Sequence, residues 1–256
     1  MTSTLPARSL LARSLHATAD FFLPRICVAC ERPADARENG LVCALCRSRL
    51  ALLAAPLCVR CGHPTGGRRC MFCEAFPPFV RAIRSVCWVP HEVGSAVVHS
   101  LKYHGWTGTA RDMAAQMARV GWPPDVVAER AALVPVPLAA TRERERGFNQ
   151  AALLCDALST HWGIPVWRDA ITRTRATQSQ TRLTPGERSA NVHGAFAVPD
   201  RPCDVRDRLR GLHLVLVDDV LTTGATLNAC ATALFDAGAR TISYVTFGRA
   251  RASGDR

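Results

Sequence analysis

Leu212-His213-Leu214-Val215-Leu216-Val217-Asp218-Asp219-Val220-Leu221-Thr222-Thr223-Gly224-Ala225-Thr226 is the stretch from which the rest of this chain is read. Five of the six residues from Leu212 to Val217 are apolar, a pattern that suits a strand covered on both faces, as in a buried parallel sheet. After Gly224 the apolar positions Leu227, Cys230, Ala231, Leu234 and Ala237 keep helical spacing, and Gly238 stands where a helix stop is expected. The junction between strand and helix leaves the N–H groups of Thr222 to Thr226 at a helix N-terminus, where the dipole favours an anion. Threonine hydroxyls add donors, and Gly224 lets backbone come close to a phosphate.

Asp218 and Asp219 repel each other and any phosphate, so their place at the strand's carboxyl end requires a partner. Ribose hydroxyls or a divalent cation would supply one. Successive strand side chains point to opposite faces, so both acids are expected to reach one ligand only if the strand turns at Asp219. The plain alternative is a βα unit with a capping acid, and a generic dinucleotide site lacks its G-x-G-x-x-G. Val215 to Thr226 resembles the phosphoribosyl pyrophosphate (PRPP) signature of type I phosphoribosyltransferases: a hydrophobic strand, two acids and a T-T-G-x-T loop.

The chain has 256 residues and 48% hydrophobic content, enough for one large or two small domains, and two are expected. Its formal charge of +11 favours anionic partners such as phosphates or nucleic acid. Residues 1–23 faintly mimic a targeting segment. They lack an uninterrupted apolar core, and Leu10, Leu11, Ser14, Leu15, Thr18 and Phe22 mark one face of an amphipathic helix instead. No apolar run reaches the ~18 residues of a membrane span.

Of twelve cysteines, eight form four C-x-x-C pairs: Cys27 and Cys30, Cys43 and Cys46, Cys58 and Cys61, Cys70 and Cys73. Two residues between thiolates let a tight knuckle face one ion, and two knuckles complete a tetrahedral Zn²⁺ site. Pairing neighbours gives two four-cysteine sites, although spacing also permits Cys43 and Cys46 to join Cys58 and Cys61. The intervening segments, rich in Pro, Gly and Arg, cannot fill a core, so metal would supply much of the folding energy. A thioredoxin-like redox role would need a βα context that these pairs lack. His63 is a candidate substitute ligand, or an exposed residue. Cys87, Cys155, Cys203 and Cys230 read as reduced packing residues.

Pro77-Pro78 closes this module, giving a ribbon over residues 24–80 and a second domain over 81–250, whose first strand is Arg84 to Val89. Val93 to Tyr103 is expected to be an amphipathic helix with Lys102 at its end, either pairing with the dipole or touching a ligand. Ala131 to Pro137 is a strand ended by prolines. Beyond it lie Arg142, Arg144, Arg146, Asn149 and Gln150, either on an exposed helix start or on the rim where α/β sheets bind ligands. Planar guanidinium groups there suit a diphosphate. Thr172 to Arg188 lacks either periodicity and reads as a loop, a candidate lid carrying Arg175, Gln180 and Arg188. Asn191 to Val198 is read as a strand, followed by a second polar connection, and Arg240 to Phe247 as the last strand.

Together the cysteine pairs, Leu101-Lys102-Tyr103, Val134-Pro135-Val136-Pro137, Arg144 to Gln150, Arg175 to Gln180, Arg188, Asn191 to Phe196 and the acid-pair loop resemble the ComF family. The resemblance implies an α/β fold of the type I phosphoribosyltransferase kind, a mostly parallel sheet flanked by helices, behind a double zinc ribbon. It implies cytoplasmic location and, in competent bacteria, handling of single-stranded DNA together with competence proteins. It further implies two structural Zn²⁺ ions, and Mg²⁺ with PRPP. Thr222, Thr223, Gly224, Ala225 and Thr226 would hold the 5′-phosphate, while Asp218 and Asp219 would take the ribose hydroxyls as the catalytic pair. Lys102, Arg142 and Arg146 would screen the diphosphate. Asn149, Gln150, Arg175, Gln180 and Arg188 complete the PRPP-binding set, with the hood drawn from Arg173 to Asn191. No residue stands out as a general base. A non-enzymatic PRPP- or sugar-phosphate-binding protein that contacts DNA or partner proteins is the competing expectation.

Overall fold

A computed structural model describes residues 26–34, 41–66, 70–103, 107–175, 194–200 and 204–251. The expected helix over residues 1–23, Gln180, Arg188, Cys203 and most of the expected hood lie outside them. The short helix α1 (Ala44–Ser48) belongs to the first cysteine module, and a 3-10 turn (Phe72–Ala75) to the second. Then follow β1 (Val80–Val89), α2 (Glu92–Tyr103), α3 (Thr109–Met117), α4 (Pro124–Glu129), β2 (Arg130–Pro135), α5 (Ala140–Arg146) and α6 (Gln150–Trp162). The chain continues through β3 (Thr172–Arg173), β4 (Phe196–Ala197), α7 (Asp204–Leu209), β5 (His213–Leu221), α8 (Ala225–Asp236) and β6 (Thr241–Ala250).

Four strands form a parallel sheet in the order β1-β6-β5-β2. The alternation of β5 explains how both faces are covered. Leu214 and Leu216 pack with Leu227, Cys230, Ala231 and Leu234 of α8 and with Val205 and Leu209 of α7. Val215 and Val217 enter the opposite core with Val97 and Leu101 of α2, Met113 and Met117 of α3, and Leu154 and Leu158 of α6. Fully burying each such aliphatic side chain contributes about 2 kcal/mol, so the continuous apolar run is what commits β5 to an inner position.

Both sheet edges are covered. On the β1 side, Trp88 N–H donates to Ala51 O at 2.8 Å and Ile83 N–H to Arg60 O at 2.7 Å. Beyond β2, Leu133 N–H bonds Pro165 O and Trp167 N–H bonds Leu133 O, both at 2.9 Å. These contacts satisfy donors that an open edge would offer to another chain.

Several expectations change. The first strand begins at Val80, four residues before the expected Arg84, because Val80 and Ile83 are themselves buried against the sheet. Thr172–Arg173 is a strand within the expected loop, paired antiparallel with Phe196–Ala197. Among the described residues, the strand read over Asn191 to Val198 is reduced to that pair. The expected polar connection after Val198 holds α7, whose Val205 and Leu209, one helical turn apart, are both buried. β5 does not turn at Asp219; it runs on to Leu221, in register with Arg249 of β6.

Candidate functional site

The sheet's carboxyl end opens into a cavity of about 440 Å³, and the acid pair and the threonine loop share it. Asp218, Asp219, Thr222, Gly224, Ala225 and Thr226 line it from β5 and the start of α8, and Lys102 from the end of α2. Arg142 and Arg146 of α5, Gln150 of α6 and Arg173 of β3 complete its polar wall. Thr222 is exposed, Thr223 and Thr226 are half-buried, and none of the three is covered over. Gly224 caps α8 in the left-handed region at φ 83°, and Thr223 Oγ1 accepts the Ala225 N–H at 3.4 Å.

The two acids reach one cavity although the strand stays extended. Asp218 Oδ1 folds along the backbone to accept the Asp219 N–H at 2.9 Å, so side-chain rotation does what a turn was expected to do. Asp219, 3% exposed, is ion-paired with Lys102 and accepts a hydrogen bond from Gln150 Nε2 at 3.2 Å. Gln150 in turn accepts from Arg146 Nη1 at 2.6 Å, and the Arg146 guanidinium lies 5.5 Å from the ring centroid of Tyr103. Lys102 therefore answers a carboxylate across the cleft rather than its own helix dipole.

Burial raises both carboxyls. At Asp218 repulsion from Asp219 adds to burial, and the group sits well above the ordinary carboxylate range. At Asp219 burial is outweighed by the Lys102 ammonium, which holds the group below that range. Burial pulls Lys102 down, but the Asp219 charge prevails and its pKa is raised. The cleft thus sets one acid that resists ionisation and one that favours it among four cations, a balance that favours an incoming anion.

Other expected site residues fall elsewhere. Asn149 caps α6: its Oδ1 accepts the Ala151 N–H at 2.9 Å and its Nδ2 donates to Val136 O at 3.0 Å. Neither Asn149 nor Arg175 is among the lining residues, and Arg175 is exposed. Arg173, the first residue of the expected hood, and Tyr103, quoted only as part of the Leu101-Lys102-Tyr103 motif, line the cavity. Two residues are too few for the sequence of Thr172–Arg173 to show a strand's alternation. The Arg173 guanidinium over Phe196, 5.4 Å from the ring centroid, is a tertiary contact.

The eight cysteines of the pairs resolve into neighbours. Sγ atoms of Cys27, Cys30, Cys43 and Cys46 lie within 4.8 Å of one another, as do those of Cys58, Cys61, Cys70 and Cys73. The separations of 3.9 Å (Cys30–Cys43), 3.4 Å (Cys58–Cys73) and 3.3 Å (Cys61–Cys70) are near the ~3.8 Å edge of a tetrahedron with Zn–S bonds of about 2.3 Å. Both sets fit zinc, and the crossed pairing is ruled out. Burial would raise Cys27 and Cys58, yet N–H donors, from Cys43 at the first and Cys61 at the second, bring each to about 7 and favour the thiolate. His63 is no ligand; its buried ring packs 3.8 Å from Phe72 and 5.8 Å from Trp88, centroid to centroid. Cys87, Cys155 and Cys230 are buried and unbridged, as packing residues should be.

A parallel α/β sheet with an acid pair and threonine loop at its carboxyl end, joined to two four-cysteine ribbons, defines a phosphoribosyltransferase-fold protein with a double zinc ribbon. Residues 18–76 match the family model described as a double zinc ribbon domain. A DNA utilization protein, YhgH, of Salmonella typhi is 34% identical over 86% of this chain and 95% of its own length. The Competence protein ComFC of Bacillus subtilis is 28% identical over 79% of this chain and 81% of its own. The chain belongs to the ComF family. Among solved structures, the glutamine PRPP amidotransferase of B. subtilis overlays at a TM-score of 0.35 and 17% identity, over 54% of this chain and 25% of that one, too partially to inform the chemistry. Among the described residues no helix is long and apolar enough to cross a membrane.

Proposed function

We propose that this protein binds PRPP with Mg²⁺ in the cleft at the carboxyl ends of β2 and β5, and acts in the handling of single-stranded DNA in the cytoplasm. The observation that carries the reading is the shared cavity: residues of the threonine loop, two acids and four cations line a space of about 440 Å³. Thr222 to Thr226 would hold the 5′-phosphate, with helix-terminal N–H groups pointing at it. Asp218 and Asp219 are hard oxygen donors suited to ribose hydroxyls and to Mg²⁺, which would neutralise diphosphate charge when bound. Lys102, Arg142, Arg146 and Arg173 surround the position left for the diphosphate. To meet the substrate, Asp219 must exchange Lys102 for ribose, and the freed ammonium can then face the leaving group.

In the transfer reaction an acceptor's lone pair attacks the anomeric carbon. The bond from that carbon to the diphosphate oxygen breaks, and diphosphate leaves with the electron pair. The cationic wall stabilises the charge that develops on the leaving group, and the acids stabilise the oxocarbenium-like sugar. A second reading, a non-enzymatic PRPP-binding protein that contacts DNA, draws on the Lys102–Asp219 ion pair, which occupies a catalytic carboxylate at rest. The DNA role rests on the names of the relatives and on the charge of +11.

Calorimetric titration with PRPP, with and without Mg²⁺, tests the common part. Binding is expected in the wild type and a loss of about tenfold or more in Asp218→Ala with Asp219→Ala, each removed hydrogen bond to a charged group being worth about 1.5–3 kcal/mol. Equal affinity in wild type and double variant sinks the site. Diphosphate release in an acceptor screen separates enzyme from binder. Oligonucleotide affinity that does not fall as salt rises removes the electrostatic DNA reading.

A further inference from the structure

Among the described residues, the second cysteine module reaches the phosphate loop, whereas the first packs elsewhere. Phe76 directly follows the 3-10 turn that contains Cys73. It is 8% exposed, stands edge-on to Tyr244 at 6.3 Å, and packs so closely on the loop that a Cβ on Gly224 would lie 2.8 Å from its Cε1. The ring therefore forms one wall of the left-handed turn that opens α8. A second tie lies alongside: Asn228, in the first turn of α8, donates to Ala75 O at 2.8 Å and accepts from Tyr244 Oη at 3.1 Å.

Arg60, between Cys58 and Cys61, fixes this wedge to the knuckle. Its guanidinium donates to Cys73 O and Phe76 O at 3.0 Å, Pro77 O at 2.6 Å and Val80 O at 3.2 Å. One side chain thus binds the knuckle, the wedge and the first residue of β1. The other module docks on the opposite face, where Leu41 and Val42 donate to Asp112 Oδ2 of α3 at 2.6 and 3.1 Å. The two modules enter separate cores, Cys61 and Phe76 in one and Cys27, Val42 and Cys46 in the other.

We propose that Phe76 is a positioning residue for the phosphate loop, and that Arg60 links the Cys58/Cys61/Cys70/Cys73 site to that loop's anion affinity, whereas the described residues of the other module dock on the opposite face. The proposal rests on the reading of Thr222 to Thr226 as a phosphate cradle. Its physical basis is preorganisation. An array of N–H donors binds an anion tightly only if it is already arranged for it. Gly224, freed from the ring, would share its time with conformations in which those donors diverge.

The test uses the full chain loaded with zinc, and compares Phe76→Ala, Phe76→Leu and Phe76→Tyr with Asp112→Ala. Hydrogen exchange is followed at the loop amides of the ligand-free proteins, and PRPP–Mg²⁺ titrations follow on the same samples. Phe76→Ala is expected to speed exchange at Thr222 to Thr226 and to weaken PRPP binding by about tenfold, the loss a flexible anion site suffers, with zinc content unchanged. Phe76→Leu and Phe76→Tyr are expected to recover part of both effects, and Asp112→Ala to change neither, whatever it does to the melting temperature. Should Phe76→Ala not fold, Phe76→Leu against Asp112→Ala gives the same comparison. Loop exchange unaltered by the Phe76 variants, or altered equally by Asp112→Ala, overturns the proposal. Wild-type protein that ignores PRPP while its loop exchange still responds to Phe76 refutes the PRPP reading and leaves the positioning role intact.

Discussion

Lys102 and Asp219 carry most of the site's electrostatic character between them. With the ammonium removed in Lys102→Met, Asp219 keeps Gln150 and the Asp218 carboxyl as neutral partners. Breaking a fully buried pair costs about 3–5 kcal/mol, and the partial exposure of the lysine reduces the expected loss to about 2 kcal/mol at neutral pH. The pH dependence follows from the directions of the shifts. Asp219 is lowered, so its contribution is present above the ordinary carboxylate range and disappears as pH falls through its depressed value. Lys102 is raised, so its contribution is lost as pH climbs through its elevated one. Denaturant melts across pH should therefore show wild type and Lys102→Met differing most between those limits and converging at strong acid. Asp218 behaves oppositely: it is raised, and its ionisation grows costlier to the fold as pH increases. Because Mg²⁺ requires the ionised form and a ribose hydroxyl bonds it more strongly than the neutral acid, PRPP–Mg²⁺ affinity should rise with pH through that titration. Calorimetry on Asp218→Asn should find the slope flattened.

At the level of elements, the junction between β5 and α8 is held as much by its neighbours as by its own residues. Gly224→Ala places a Cβ at φ 83° and drives it into Phe76. The left-handed conformation costs about 1–2 kcal/mol for a residue with a Cβ, and overpacking typically adds about 1–3. A stability loss of about 2–5 kcal/mol in thermal or denaturant melts is expected, and pairing with Phe76→Leu should recover the packing share alone. Asn149 joins two elements, capping α6 and holding the end of β2 through Val136 O. Asn149→Ala should cost about 1 kcal/mol as a lost cap, readable in the same melts. The motif Arg144 to Gln150 thus divides its labour: Arg146 at the end of α5 and Gln150 at the start of α6 face the cavity, and Asn149 caps the helix that presents Gln150.

For the whole molecule, the cysteine modules are built into the larger domain. The segment after the first supplies Ala51 to the edge of β1, the second supplies Arg60 to the same edge, and both contribute residues to the two cores. Structural zinc contributes about 10–16 kcal/mol at neutral pH in small ribbon-like domains. Chelation should therefore uncover β1, lower the melting temperature of the entire chain, and promote edge-to-edge association. Zinc release measured alongside light scattering checks this; a chain that loses two metal ions per molecule and melts as before contradicts it.

Local features could be read from the residues alone: apolar runs that mark strands, C-x-x-C spacing that makes a knuckle, and a T-T-G-x-T turn at a helix start. Each is set within one helical turn or one pleat of the residues that state it, so it is legible without coordinates. Arg173, Tyr103 and Phe76 were not, because their importance comes from what the sheet brings beside them. The same holds for the choice between the two cysteine pairings, the rotation of Asp218 back onto its own strand, and the union of Lys102 with Asp219 across the cleft. The meeting of Lys102 with Asp219 depends on α2, α5 and α6 bringing their ends to the carboxyl end of a four-stranded sheet. Contacts between residues more than a hundred positions apart are decided by packing and electrostatics in three dimensions, and only the tertiary structure could supply them.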